Sequence, residues 1–500
     1  MSGRGGNKGL NAEQTRRAFL KMMGVGGACL ALLGLRSCFH APRIRATASS
    51  VRPGRAWTFR SRPDLRPPFV EVTRRARSTA PGYLFAASKN GPGEEYPAQD
   101  GPMILDNDGQ PVWLCPVSGE DKDAMDFKVQ RYRGEPVLTW WEGIHTGYGQ
   151  GEYLILDNSY RELARVRAGN GYDGDHHEFL ITPEDTALFT IYHKVPMDLS
   201  SVGGPKEGTV LDGIVQEVDI ETGEVLFEWH SLEHVGIEES ELRYDYFHVN
   251  AIDVDHDSNL LISSRNTSAV YKVDRRTGKI LWRLGGKSSD FEMGEGARFA
   301  YQHDVRRCPN GTVTMFDNRD KKMNEQSRGI TLQLDEDTMT AELLREYTHP
   351  EKTFAIFQGS VQTLPDGNVF VGWGSAPYLS EFGRDGELLF DARFPPEVES
   401  YRAFRFPWSG QPDVDPALAA EPGPDDEVTL YASWNGATEV ATWEVLAGPA
   451  PEELKSVGFA PRKGFETVIR VSTGEPYLGV RAKDHLGQAL GSTRAIKRGT

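Results

Sequence analysis

Two stretches indicate the fold most clearly: HVNAIDVDHDSNLLISSRN at residues 248–266 and SAVYKVDRRTGKILWRLGG at residues 268–286. Each segment is an alternating apolar run, a turn rich in Asp, Asn or Gly, and a second apolar run, which is the pattern of a β-hairpin. Two hairpins in succession predict one four-stranded antiparallel unit. Because the same unit recurs along the chain, the sequence indicates a repeat architecture.

Six copies of this unit can be aligned, at residues 82–116, 126–166, 177–229, 248–286, 303–349 and 359–394. Four-stranded units that repeat radially form a β-propeller, so we predict six blades. A large β-sandwich is the alternative, but a sandwich has no reason to repeat its loop register. The fold class that we expect is all-β: a six-bladed β-propeller followed by a small fibronectin type III-like β-sandwich.

Changes in composition divide the chain into four parts. Residues 1–48 resemble a signal peptide, and residues 49–410 hold the predicted propeller. Residues 411–426 are rich in proline and acidic side chains and are predicted to be a linker. Residues 427–500 carry a different β pattern with core tryptophans, which predicts the fibronectin type III-like sandwich.

The first residues predict export by the twin-arginine route, to the cell envelope or the extracellular space. Paired Arg16 and Arg17 precede a mildly apolar stretch at residues 22–35 that is too short to span a bilayer. Cleavage after Ala48 fits the small residues of Ala46-Thr47-Ala48. A lipid anchor on Cys38 is the minority alternative, and it is the only form of membrane attachment that the sequence offers.

The charge of the chain narrows the class of partner. The net charge of the 500 residues is -16, and 26% of them are charged. Since nucleic acid is bound by basic surfaces, this balance argues against a nucleic-acid partner. A small anionic substrate would need a locally positive pocket.

Three of the 12 histidines occupy one position of the repeat. His177, His248 and His303 each open the first strand of a unit, where the sixth unit has Gln358 or Ser360. The first strand of every blade lines the channel of a propeller, so we expect the three imidazoles to converge on the axis. Histidines that only tie loops together are the structural alternative.

Further polar side chains are expected near the same point. Arg265 and Asn266 end the second strand of the fourth unit, and Asn318 ends that of the fifth. Both asparagines are candidate substrate contacts. Asn250 lies two residues after His248 and should share its facing, because side chains alternate along a strand. A guanidinium beside neutral donors suits a tetrahedral oxyanion.

Aromatic residues of the second unit could form a rim that stacks on an aryl ring. We name Trp141 and Tyr172 as candidate substrate contacts, from a set that also contains Trp140, His145 and Tyr148. Packing between blades is the competing explanation.

At this point the chain resembles the arylsulfate sulfotransferase family, in particular its actinobacterial and fungal-type branch. The resemblance runs from Gly82 to Arg393, and its most specific stretches are FHVNAIDVD at 247–255, DFEMGEGARFAYQHDVRRCPNGT at 290–312 and FDN at 316–318. It implies transfer of a sulfuryl group from an aryl sulfate to a phenol through a sulfo-histidine. Small molecules are therefore the expected partners, with neither PAPS nor any cofactor or metal, while the oligomeric state stays open.

The resemblance also implies roles for single residues. His303 of the QHD segment would be the nucleophile, and Asp317 or Asn318 would orient it. His248, Asn250 and Arg265 would hold the sulfuryl oxygens, and His177 would lie near the bridging oxygen.

Three other classes compete with this interpretation. Axial histidines also occur in iron-dependent carotenoid-cleaving propellers, although Arg265 would repel a metal cation. The turns at residues 219–227 and 274–282 resemble those of quinone-dependent dehydrogenases. A secreted, non-catalytic binding or scaffold propeller is the third, since a fold does not fix a function.

Overall fold

In the computed structural model the described residues are 44–48, 56–119, 121–320 and 325–499. They form eight sheets of mainly antiparallel strands. Six of the sheets are propeller blades, and two make a sandwich. The predicted all-β fold with six blades is confirmed. Short helical turns occur at Ser200–Val202, Ser231–His234 and Ile237–Glu239.

Blades 2 to 4 follow the predicted order, each beginning with its innermost strand. The strands of blade 2 are Asp123–Tyr132, Glu135–His145, Gly149–Leu156 and Glu162–Val166. Those of blade 3 are Phe179–Ile181, Thr186–Met197, Gly208–Asp219 and Val225–His230. Those of blade 4 are Val249–Val254, Leu260–Ser264, Ala269–Val273 and Ile280–Gly285.

Blades 5 and 6 each carry a fifth, outer strand. Blade 5 consists of His303–Arg307, Val313–Asp317, Arg328–Asp335 and Thr340–Tyr347, with Glu292–Met293 parallel to the last. Blade 6 consists of Ser360–Thr363, Val369–Gly372, Tyr378–Phe382 and Leu388–Arg393, with Glu71–Arg75 antiparallel to the last.

Blade 1 is assembled from both ends of the propeller segment. Its innermost strand, Val398–Phe406, comes after blade 6 and pairs with Tyr83–Asn90. Gly101–Leu105 and Pro111–Leu114 complete the sheet. The first repeat looks weak in the sequence because its channel-lining strand lies some 300 residues downstream. This pairing closes the ring non-covalently.

Apolar side chains hold neighbouring blades together. Trp229 of blade 3 and Tyr271 of blade 4 belong to one fully buried cluster with Phe247, and their rings lie 5.4–5.7 Å from that of Phe247. Burial of a large apolar side chain stabilises a fold by about 1.5–3 kcal/mol, so such clusters dominate the packing of the ring.

The innermost strands carry bulges at equivalent places. Register shifts occur between Met125 and Lys128, between Val249 and Ala251, and between His303 and Arg306. A bulge interrupts the alternation of side chains and re-aims those next to it. These bulges lie where the channel-facing residues of blades 2, 4 and 5 are found.

The remaining two sheets form a sandwich. One contains Arg45–Ala48, Glu466–Ser472, Glu427–Ser433 and Ala417–Pro422. The other contains Lys455–Pro461, Thr442–Gly448, Tyr477–Lys483, Ala489–Ser492 and Ile496–Lys497. Trp443 lies in the common core, 1% exposed. The likeness to fibronectin type III stays a prediction.

The structure departs from two predicted boundaries. Residues 411–426 contain the edge strand Ala417–Pro422, so six of the 16 residues of the predicted linker belong to the sandwich. Arg45–Ala48, at the end of the predicted signal peptide, pairs with Glu466–Ser472. Residues 1–43 lie outside the described residues, so the predicted export signal is untested. No helix in the described part of the chain has the length and hydropathy to cross a membrane.

Candidate active site on the propeller axis

A cavity of about 250 Å³ lies at one mouth of the channel, and every blade contributes to its lining. It brings together the ionisable side chains of blades 2 to 5, namely His145, His176, His177, His248, Arg265 and His303. The three histidines predicted from the repeat register therefore meet, together with the predicted guanidinium. The rings of His177 and His248 are 4.8 Å apart.

Two of these imidazoles are anchored to carboxylates through Nδ1. Nδ1 of His177 lies 2.5 Å from Asp175, and Nδ1 of His248 lies 2.5 Å from Asp245. Although burial opposes it, contact with His177 holds the pKa of Asp175 well below its usual value. With Nδ1 engaged, the opposite nitrogen, Nε2, of each ring is directed away from its carboxylate.

His303 has a neutral anchor instead. Its Nδ1 lies 2.8 Å from Oδ1 of Asn318, which also donates through Nδ2 to two backbone carbonyl groups. Burial, reinforced by the charge of Arg265, lowers the pKa of His303 well below its usual value. The ring is therefore neutral at physiological pH, with its proton on Nδ1 and a lone pair on Nε2. The backbone N–H of Gln358 donates to that lone pair at 3.2 Å.

Arg265 supplies positive charge from the end of the second strand of blade 4. Its guanidinium carbon lies 4.8 Å above the centre of the Tyr301 ring, and it donates to Oδ1 of Asn266 at 2.6 Å. Burial lowers its pKa from the usual value, yet an arginine stays charged at any physiological pH. The guanidinium and the neutral His303 thus share one half of the cavity.

A buried ion cluster fills the axis next to the cavity. Glu178, Asp304 and Arg402 follow His177, His303 and Tyr401 in the sequence, and the three are buried and ion-paired with one another through Arg402. They are joined by the remaining members Asp126, Lys128 and Arg306. Three carboxylates and three cations balance, which limits the cost of burying them. The strands that carry the cavity residues are tied together by this cluster.

Asn250 does not line the cavity, which corrects the prediction for this residue. The bulge between Val249 and Ala251 breaks the alternation on which that prediction relied. Its Nδ2 donates to the carbonyl of Gln302 at 2.7 Å, and its own carbonyl accepts from Arg402. Asn250 therefore links the inner strands beside the ion cluster.

The aromatic rim is also corrected. Trp141 is fully buried, donates to the carbonyl of Gly174 and packs against His176, so it lies behind the cavity wall. Tyr172 packs against His193, away from the cavity. The two residues support blade packing.

The two asparagines named as substrate contacts hold protein groups instead. Asn266 donates to the carbonyl of Asp245 and accepts from Arg265, so it positions the guanidinium. Asn318 orients His303, a role that was predicted for either Asn318 or Asp317. Asp317 is engaged elsewhere, with Arg328 at 3.0 Å.

Several lining residues were missed. His176 adjoins the predicted His177, and the Asp-His-His run at 175–177 was a usable signal. Lys89, Glu399 and Tyr401 come from blade 1, whose inner strand could not be placed from a local repeat. Gln358, by contrast, was one of the two residues expected at this position of the sixth blade, and it lines the cavity.

Within the described residues, one cluster has the spacing to bind a metal ion. It consists of Asp175, His176 and His177, whose potential ligand atoms lie within 4.8 Å of one another. Both carboxylate oxygens of Asp175 already accept hydrogen bonds, from His177 and from the backbone of Gly149. The carboxylate therefore serves to orient a histidine, and Arg265 places a cation in the same cavity.

These features define a class of protein: a six-bladed β-propeller with a histidine-lined cavity and one guanidinium on its axis. The chain belongs to the arylsulfotransferase (ASST) family, whose sequence profile matches residues 128–395. That range contains all five residues that were predicted to carry the chemistry.

Comparison with solved structures finds distant likenesses. A protein of unknown function from Bacteroides caccae is 13% identical with a TM-score of 0.42, covering 65% of this chain and 98% of its own. An inactive virginiamycin B lyase from Staphylococcus aureus is 7% identical with a TM-score of 0.35, covering 81% and 99%. The Dos1 propeller is 12% identical with a TM-score of 0.30, covering 78% and 75%. No curated protein matches the chain.

Proposed function

We propose that the protein moves a sulfuryl group from an aryl sulfate to a phenolic acceptor, with His303 as the group carrier and without PAPS. The observation that carries the proposal is the neutral, Asn318-anchored His303 beside Arg265, His177 and His248 in one cavity. A neutral imidazole is a competent nucleophile, and neighbouring positive groups suit the sulfuryl oxygens.

The reaction balances in two displacements. Nε2 of His303 attacks sulfur, the sulfur–oxygen bond to the aryl group breaks, and a phenolate leaves. The acceptor oxygen then attacks the same sulfur, and the electron pair of the nitrogen–sulfur bond returns to His303. Like phosphoryl transfer, such a displacement is loose and in-line, so the protein mainly positions groups and stabilises charge.

Neighbouring side chains have matching tasks. The guanidinium of Arg265 can bind two sulfuryl oxygens at once. His248 donates through Nε2 once it is protonated, and Asp245 favours that charge. His177, held by Asp175, lies 4.8 Å from His248 on the same side of the cavity. The hydrogen bond from Gln358 to His303 must open for attack, and at 3.2 Å it is a long one.

The test uses 4-nitrophenyl sulfate as donor and phenol as acceptor. Wild-type protein is expected to release nitrophenol in a burst and to gain the mass of one sulfuryl group on His303. His303→Ala and His303→Asn should lower release about a thousandfold or more, as expected for loss of a nucleophile. The exposed His256→Ala is the matched control and should leave the rate unchanged.

The secreted scaffold is the alternative that the same assay addresses. A folded wild-type protein that releases no nitrophenol with any phenolic acceptor supports the scaffold. Full activity in His303→Ala would reject the sulfo-histidine while keeping the family activity.

A further inference from the structure

A second pair of histidines lines the cavity and has no part in the transfer described above. His145 ends the second strand of blade 2, and His176 precedes the first strand of blade 3. Their rings meet edge to face, 4.7 Å apart. His176 is 3% exposed, and its Nδ1 lies 3.3 Å from Oδ2 of Asp175.

His145 connects the cavity to a second pocket. Nδ1 of His145 lies 3.9 Å from Oδ2 of Asp123, a gap that a small rotation of either side chain closes to hydrogen-bond distance. Asp123 opens the innermost strand of the same blade. It pairs with Gly143, two residues before His145 at the end of the neighbouring strand. The ring therefore stands between the cavity and a carboxylate.

The second pocket, of about 390 Å³, is acidic and reaches solvent. Asp100 and Asp123 line it together with the exposed Asp121 and Lys122. Burial, together with the charge of Asp123, raises the pKa of Asp100 to about 6. Burial also raises the pKa of Asp123. Carboxylates of this kind exchange protons with water near neutral pH.

Burial and the neighbouring Lys89 favour the neutral form of His145. Burial, followed by the charge of Lys89 from blade 1, lowers the pKa of His145 to about 4. The other ionisable groups that face the ring are Asp123 of its own blade, Asp175, His176 and His177 of blade 3, and His248 of blade 4. The ring is therefore a neutral but weak base, and it takes a proton only from an acceptor oxygen that becomes acidic as it bonds to sulfur.

We propose that His145 is the general base for the phenolic acceptor and that Asp123 and Asp100 pass its proton to solvent, an inference that rests on the proposed function. As the acceptor oxygen bonds to sulfur, its proton moves to His145, and the nitrogen–sulfur bond electrons return to His303. The Nδ1 proton of His145 then moves to Asp123. Release of a basic donor phenolate uses the same path in reverse.

The other groups in the cavity that could act as a base are already engaged by protein groups or by the proposed sulfuryl transfer. Nδ1 of His177 and Nδ1 of His248 are held by carboxylates, and the proposed function uses both rings to hold the sulfuryl group. Glu399 is ion-paired with Lys89 at 2.6 Å and accepts from Gln358. Among the imidazoles that line the cavity, His145 is the one that lies near a carboxylate of the second pocket, Asp123, to which it can pass a proton.

The experiment compares acceptors that differ in acidity. Phenol must lose a proton during transfer at pH 7, whereas pentafluorophenol is already ionised. His145→Gln should slow turnover with phenol about a hundredfold, while the nitrophenol burst and turnover with pentafluorophenol change less than about threefold. Asp123→Asn should show the same selectivity with a smaller loss. His256→Gln is the matched control.

A second variant guards against a merely structural effect. Free imidazole should restore phenol turnover in His145→Ala, as expected when a base has been deleted. Equal loss with both acceptors, no loss with phenol, or absence of rescue overturns the relay. A wild type that gives no burst overturns the proposed function, and the relay with it.

Discussion

Single side chains set the protonation state of the candidate site. Burial lowers the pKa of His248 from its ordinary value, although Asp245 opposes this. The free ring is therefore mostly neutral at pH 7, with its proton on Nδ1 facing Asp245. To donate from Nε2 to a sulfuryl oxygen it must take up a second proton.

Ligand binding should consequently be linked to proton uptake. We expect benzenesulfonate, which cannot transfer its sulfur, to bind more weakly as pH rises above the pKa of the free His248. The limiting slope is about tenfold in Kd per pH unit for one proton. The ionisable groups facing the ring are Asp245, His177 and Arg265. Calorimetry in buffers of different ionisation enthalpy measures the uptake directly, and a pH-independent Kd would contradict it.

Asn318 is expected to control the nucleophile through a neutral hydrogen bond. Asn318→Asp would put a carboxylate 2.8 Å from Nδ1 of His303, which favours the imidazolium and raises the pKa of His303. Because the imidazolium cannot attack sulfur, the acidic limb of the burst rate should move to higher pH by about 1–3 units. A pH–rate profile tests this. An unshifted profile with a reduced plateau would mean that Asn318 acts only on packing.

Among the elements, the short strand Arg45–Ala48 has the clearest consequence. It covers the edge of Glu466–Ser472, and Ile44 and Ala46 pack on the sandwich core. Cleavage after Ala48, as the sequence predicts, would remove it. Exposed edges also favour association between chains.

Two shortened chains test the contribution of this strand, one starting at Arg43 and the other at Ser49. We expect the chain starting at Ser49 to lose about 1–3 kcal/mol of stability in the sandwich, from lost apolar burial and strand pairing. Differential scanning calorimetry should show a lower transition for the sandwich alone. Identical thermograms would show that the strand is dispensable and that cleavage after Ala48 costs nothing.

At the level of the whole molecule, the ion cluster and the closing strand hold the ring together. Arg402, on that strand, contacts Asp126 at 2.9 Å and Glu178 at 3.2 Å, and all three are fully buried. Burial raises the pKa of Asp126 despite Lys128 and Arg402. Removal of the Arg402 guanidinium would leave three carboxylates balanced by only two cations.

Arg402→Met should therefore destabilise the propeller by about 3–5 kcal/mol at pH 8, the cost of an uncompensated buried charge. The folded-state pKa of the nearby carboxyls then lies above its unfolded value, so stability is regained as pH falls. Denaturant unfolding at pH 5 and pH 8 measures the difference. Asp126→Asn in the same chain should restore part of the loss, and its failure to do so would locate the effect in packing.

The repeat pattern was enough to predict six blades, the axial position of His177, His248 and His303, and the presence of Arg265 beside them. These follow from local periodicity: hairpin turns, alternating apolar residues and one recurring position at the start of each blade. The physical reason is that a propeller repeats its local geometry radially, so that equal sequence positions meet on one axis.

Other features depend on contacts that no local pattern contains. The bulge after Val249 turned Asn250 away from the cavity, because a bulge interrupts the alternation of side chains. Trp141 is buried behind the cavity wall, where its indole N–H donates to the carbonyl of Gly174. Lys89 and Tyr401 reached the site through pairing of strands from opposite ends of the propeller segment. Ring closure is a long-range pairing, and such a pairing leaves no period in the sequence.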